Sequence, residues 1–137
     1  SESHWLARRV GLDRLGWTHA FASMARGGVS IAGSSDAPIE RTDVLAAMAA
    51  AVDRGGQAPE QALTRSEALA LFTTGGSFAR GTEDELGSLA AGRRADLVVL
   101  DADPTDERTD LDAVGVRSTV IAGEVRYRSE RPVRPPG

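Results

Sequence analysis

Few residues in this chain can do chemistry, and Asp36 is the best placed of them. It sits near the end of the run Val29-Ser30-Ile31-Ala32-Gly33-Ser34-Ser35-Asp36-Ala37-Pro38. Val29 and Ile31 read as a short buried strand that Gly33 and the two serines bring to a close. A strand that delivers one carboxylate into a turn sets it on the rim of a sheet or barrel, where α/β enzymes keep their acids and bases. Taken alone, the same acid reads more simply as an Asx-turn or N-cap residue. His4 and His19 are the two histidines of the 137 residues. His19 falls in a helical run beside Phe21 and reads as a packed or surface side chain rather than a ligand, and His4 lies near the chain start. There is no cysteine, so disulfides, thiolate nucleophiles and Cys-ligated zinc are excluded. All sixteen basic residues are arginine, which rules out Schiff-base, P-loop or carbamylated lysine chemistry from these residues.

Composition narrows the class further. With 41% hydrophobic and 26% charged residues and a net charge of −4, the chain reads as one soluble globular domain. It offers no basic patch for nucleic acid or an anionic membrane. Its longest apolar stretch, Val44 to Val52, is far short of the roughly 20 residues a membrane span needs. The opening carries neither an initiator Met nor a signal-peptide core, and the expected compartment is the cytoplasm.

The elements that must position Asp36 follow from periodicity. Leu12 to Ala25 has Trp17, Ala20, Phe21 and Met24 at helical spacing and ends at Gly27-Gly28. A second helix opens at Thr42 as N-cap, with Asp43 at its positive end, and runs through Leu45, Met48, Ala49 and Val52 to Gly55-Gly56. Its apolar face is expected to cover a sheet. Thr64-Arg65-Ser66-Glu67 is a capping box, and the helix it opens is expected to stop near Gly75-Gly76. At Glu83 the texture changes. Leu97-Val98-Val99-Leu100 is a continuous apolar run, which predicts a strand buried on both faces and paired with Val114–Ile121 and Glu124–Arg128. Asp101 and Asp103 lack EF-hand spacing and read as turn residues before Pro104. Ala122-Gly123 predicts a type I turn with Gly123 in a bulge, since Ala resists positive φ. In the last strand, Val125 and Tyr127 are expected to point inward. The proline-rich tail is expected to fray.

Two motifs resemble the C-terminal end of the amidohydrolase superfamily, in the branch that includes N-substituted formamide deformylases. Gly33-Ser34-Ser35-Asp36-Ala37-Pro38 is close to that branch's Gly-Ser-Asp-Ala-Pro, with one additional Ser. The stretch from Gly87-Ser88-Leu89 through Gly92-Arg93-Arg94-Ala95-Asp96-Leu97-Val98-Val99-Leu100 is similar to the superfamily's Gly-Ser-Leu-x-x-Gly-Lys-x-Ala-Asp-Leu-Val-Val-Leu, with Arg93 in place of Lys. The resemblance implies an α/β fold: the end of a (β/α)8 barrel over residues 1–82, then strands of a small β-sandwich over 83–130, and a tail over 131–137. It implies a hydrolase for non-peptide C–N bonds of amide or formamide type in a small molecule. Asp36 would be both catalytic proton shuttle and metal ligand. The cofactor would be a divalent metal, zinc by expectation, with its other ligands outside this chain. The family's His-x-His, bridging lysine and later histidines have no counterpart here, so the chain reads as the last quarter of such an enzyme. Its partners would be the rest of the enzyme chain and a small-molecule substrate, not nucleic acid or membrane, with homo-oligomerisation left open. The alternative is a non-catalytic remnant kept as a scaffold or interaction module.

Overall fold

The computed structural model describes residues 3–130, with side-chain surroundings from Trp5 onward. The frayed tail expected over 131–137 lies outside the described residues. Five α-helices precede a three-stranded sheet: α1 (Ser3–Val10), α2 (Phe21–Arg26), α3 (Val44–Asp53), α4 (Arg65–Phe72), α5 (Thr74–Arg80), β1 (Leu97–Leu100), β2 (Val116–Ile121) and β3 (Glu124–Arg128).

The core lies between α3 and α4. Met48, 1% exposed, packs with Ala51 of the same helix, Ala68 and Leu71 of α4, Leu63 before it, Ala22 of α2 and Leu111. The small alanines let the helix backbones approach closely. The face expected on α3 is therefore buried, but against α4 and the turn Leu111–Ala113 rather than a sheet. The capping box is present in full: Thr64 Oγ1 accepts from the Glu67 amide at 3.2 Å, and Glu67 Oε2 accepts from the Thr64 amide at 2.8 Å. At α3 the cap is Asp43, not Thr42; its carboxylate accepts from the Ala46 amide at 3.1 Å. Both residue types cap well, and only the chain's path separates adjacent candidates.

Three expected elements take another form. The helix expected over 12–25 splits into a 3-10 turn, Leu12–Trp17, and α2. Between them the Thr18 hydroxyl donates back to the Leu15 carbonyl at 2.7 Å, and His19 adopts φ 47°. The freed carbonyls of Thr18 and His19 accept from the Arg54 guanidinium at 3.1 and 2.8 Å, which replaces the helical hydrogen bonds. The α2 end matches expectation: the Gly28 and Val29 amides donate to Ala25 and Met24 carbonyls, with Gly28 at φ 77°. Val29 to Ala32, expected as a strand, carries no ladder among the described residues, since no other strand lies beside it. Gly75 and Gly76 do not stop α4. The stop is a kink at Thr73 (φ −118°, ψ −91°), and both glycines lie inside α5.

The sheet order is β1-β2-β3, antiparallel throughout. Among the described residues β1 is an edge strand paired with β2 alone, and Val98 and Val99 are 52% and 45% exposed, so the run is not buried on both faces. β2 starts at Val116 because Leu111–Ala113 forms a turn first. The β2–β3 turn has Ala122 at φ 53° and Gly123 at φ 81°, which is type I′. A two-residue loop must match the right-handed twist of its strands, and that demand overrides the reluctance of Ala. The irregularity sits elsewhere, between Thr119 and Val120, where β3 gains a residue. Tyr127 thus faces Thr119 and Val125 faces Val120, successive residues of β2 on opposite faces. Val125 and Tyr127 do not share an inward face, and both are half exposed.

Candidate functional site

The segment that delivers Asp36 is neither helix nor strand and is braced by the α4–α5 junction. The Gly33 amide donates to the Leu71 carbonyl at 2.9 Å. A Cβ on Gly33 would lie 2.6 Å from the Phe72 ring, so the backbone rests directly on that aromatic. Two residues earlier, the Ile31 carbonyl oxygen occupies the space that a Cβ on Gly75 would need. Beyond Gly33 the chain turns over. Ser34 Oγ accepts from the Asp36 amide and Ser35 Oγ from the Ala37 amide, each at 3.3 Å, and the Ile39 amide donates to the Asp36 carbonyl at 2.9 Å. Asp36 takes φ 52° and lies exposed. The serines, including the additional one, supply the side-chain acceptors of this turn. The Asp36 carboxylate is left out of it, contrary to the Asx-turn reading.

Among the described residues, Asp36 belongs to no cluster of candidate ligands. His4 lies in α1, and His19 sits in the loop before α2 with its ring centroid 5.7 Å from that of Phe21. Among the described residues no group of three or more His, Cys, Asp or Glu could hold a metal ion. A carboxylate suits one ligand position of a divalent cation, but these residues alone do not make a metal centre, which needs three or four converging donors. An open groove of about 400 Å³ runs between the Val29–Ile31 segment and helices α4 and α5, lined by Val29, Ile31, Leu63, Leu71, Thr74 and Phe78 among others. Asp36 is not part of its lining, and the Glu67 carboxylate at its edge is committed to the capping box.

The second motif is architectural. Arg93 Nη1 donates to the Leu86 carbonyl at 3.2 Å and also reaches that of Glu83, closing the loop before β1. Asp96 accepts from the Ala122 amide at 2.7 Å and pairs with Arg94, while the Gly123 amide donates to the Ala95 carbonyl at 2.9 Å. At the other end of β1, Asp101 accepts from the Gly115 amide at 2.7 Å. The Ala95-Asp96 pair thus anchors the hairpin tip. Sequence reasoning missed Arg54, whose clamp on Thr18 and His19 spans 35 residues and leaves no local signature. Burial draws its guanidinium pKa down, and Glu60 partly offsets that.

Both motifs lie within residues 2–127, which match the amidohydrolase family model, and the chain belongs to the amidohydrolase family. Its fold and motif content are therefore those of a family of hydrolases. Among its relatives, YtcJ of Bacillus subtilis (strain 168), named as an amidohydrolase, is 32% identical over 93% of this chain and 26% of its own length. An N-substituted formamide deformylase of Arthrobacter pascens is 38% identical over 77% of this chain and 20% of its own length. The crystal structure of an amidohydrolase from Thermotoga maritima MSB8 is similar with a TM-score of 0.65 at 26% identity, over 81% of this chain and 26% of that one. The chain spans about a quarter of the length of the relatives it matches, or less. Each relative bears an enzyme's name, which does not favour the scaffold alternative. No helix among the described residues is long and apolar enough to cross a membrane.

Proposed function

We propose that this chain is the part of an amidohydrolase that contributes Asp36 as proton carrier in the hydrolysis of an amide or formamide C–N bond of a small molecule. The observation that carries this reading is the exposed Asp36 carboxylate, left out of a turn whose backbone the Ser34 and Ser35 hydroxyls already satisfy. A carboxylate so presented accepts a proton from the attacking water as the water oxygen bonds to the carbonyl carbon. It returns that proton to the nitrogen as the C–N bond breaks, leaving an acid and an amine. A divalent metal, zinc by expectation, supplies water acidification and carbonyl polarisation when bound. Asp36 can offer it one ligand, and the rest belong to polypeptide beyond these residues.

The finer architecture is part of the same reading. Val29 to Ala32, without a ladder partner among the described residues, suits a strand of a (β/α)8 barrel whose neighbours lie outside this chain. The sheet of β1, β2 and β3, exposed on both faces, suits one half of a β-sandwich over residues 83–130, with the barrel part ending near residue 82. The test is Asp36→Asn in a polypeptide that carries this chain at the length of its relatives, assayed on N-formyl and N-acyl amines. The isosteric change should lower kcat by about 10² to 10⁴ with the melting temperature unchanged. Near-normal turnover would refute the assignment.

A further inference from the structure

We infer that Gly75, on α5, is a positioning residue for Asp36: its missing Cβ lets the Ile31 carbonyl lie against the helix and so fixes where the following loop presents the carboxylate. The inference rests on the proton-carrying role proposed for Asp36. Two adjacent glycines in a seven-residue helix are unfavourable for the helix itself, which invites a reason for each. Space demands only the first. A Cβ on Gly75 would overlap the Ile31 carbonyl oxygen and come within 3.0 Å of the Ala70 oxygen, both backbone atoms that cannot swing aside. A Cβ on Gly76 would meet nothing nearer than the Leu71 oxygen at 3.8 Å.

From Ile31 the path to Asp36 is short, held at Gly33 and again within the turn. Gly33 is bonded to the Leu71 carbonyl and seated on the Phe72 ring. Ser34 and Ser35 then fix the turn through the Asp36 and Ala37 amides. A displacement at Ile31 that shifts Gly33 on this seat carries the turn, and with it the carboxylate, along. Acid–base groups work only within hydrogen-bond reach of the proton they move, so such a displacement acts on turnover more than on substrate binding.

The test compares Gly75→Ala with Gly76→Ala, the same substitution at neighbouring positions of one helix, in the length-matched polypeptide used for Asp36→Asn. All are assayed well below their melting temperatures. Gly75→Ala should lower kcat by about 10²-fold, the scale of an ångström-sized misplacement. KM should stay within a few fold, and the acidic limb of the kcat–pH profile should move, which loss of folded protein alone would not cause. Gly76→Ala should keep kcat and the pH profile and melt at the same temperature or slightly higher. Should Gly75→Ala fail to fold, Phe72→Leu decides, because withdrawing the ring from beneath Gly33 should also lower kcat with KM kept. An inactive Asp36→Asn alongside a Gly75→Ala that matches Gly76→Ala in kcat and pH profile would overturn the inference alone. So would an unchanged kcat in Phe72→Leu where that variant decides. An active Asp36→Asn would instead overturn the underlying role, and this inference with it.

Discussion

Single carboxylates in this chain differ by what their oxygens touch. Asp43 and Glu67 cap helices, Asp103 accepts from the Thr105 amide at 2.8 Å, and Asp106 holds Arg108, which brings its pKa down to about 2. Asp96 is held by the Arg94 guanidinium and the Ala122 amide, and both lower its pKa, Arg94 the more. The direction fixes the pH dependence. A carboxyl whose folded pKa lies below its unfolded one contributes stability above the unfolded value, about 3.9 for aspartate. That contribution is lost as pH falls through the folded pKa. The Ala122 amide should therefore keep its protection from hydrogen exchange down to about pH 4 and lose it on further acidification, once intrinsic rates are corrected. Asp96→Asn should show weaker protection at neutral pH and no further acid-dependent loss. Acid-insensitive protection in the unsubstituted chain would contradict the role. The turn that carries Asp36 was legible because its motif is contiguous. Its seat was not, because Gly75-Gly76 carries the local signal of a helix stop, and the Ile31 carbonyl that explains Gly75 lies over forty residues away.

Whole elements show the same division between local and distant causes. The capping box at Thr64 was readable because both partners lie within four residues, and so was the Gly28 helix end. The break at Thr18–His19 was not, since an arginine on the far side of α3 satisfies the carbonyls that a continued helix would have used. β1 was readable as a strand, but an apolar run reports that both faces can be buried, not what covers them. Its bracketing aspartates account for its placement: Asp96 holds the tip of the β2–β3 hairpin and Asp101 holds Gly115 just before β2. The hairpin carries one local conflict, Ala122 at φ 53°. A left-handed conformation costs an L-residue about 1–2 kcal/mol, and Asn tolerates it better. Ala122→Asn, which creates the preferred Asn-Gly pair, should stabilise the chain by about 1 kcal/mol. The check is urea denaturation, with a higher midpoint and an unchanged slope. An unchanged or lower midpoint would mean that the Asp96 and Ala95 bonds already compel the turn at no net strain.

At the scale of the molecule, apolar surface is the dominant fact. The buried core is small, drawn mainly from α3 and α4, while Trp17 is 80% exposed and Leu12, Ile39, Phe78 and both faces of the sheet are open. Surfaces of this kind, together with the edges of β1 and β3 that pair with nothing among the described residues, favour association. The 137-residue chain by itself should therefore form concentration-dependent oligomers in sedimentation experiments and hold sub-stoichiometric zinc after dialysis, since one carboxylate is a weak ligand. Val98→Asp separates the chain alone from its longer context. In the 137-residue chain the side chain is half exposed on an edge strand, so the change should cost about 1 kcal/mol or less. If the sheet is half of a sandwich in a length-matched polypeptide, the same change buries an unpaired charge and should cost about 3 kcal/mol or more. Equal, small effects in both would leave the sheet exposed in the larger protein and defeat the sandwich assignment. A tightly zinc-loaded, amide-cleaving 137-residue monomer would show that the site needs no polypeptide beyond this chain.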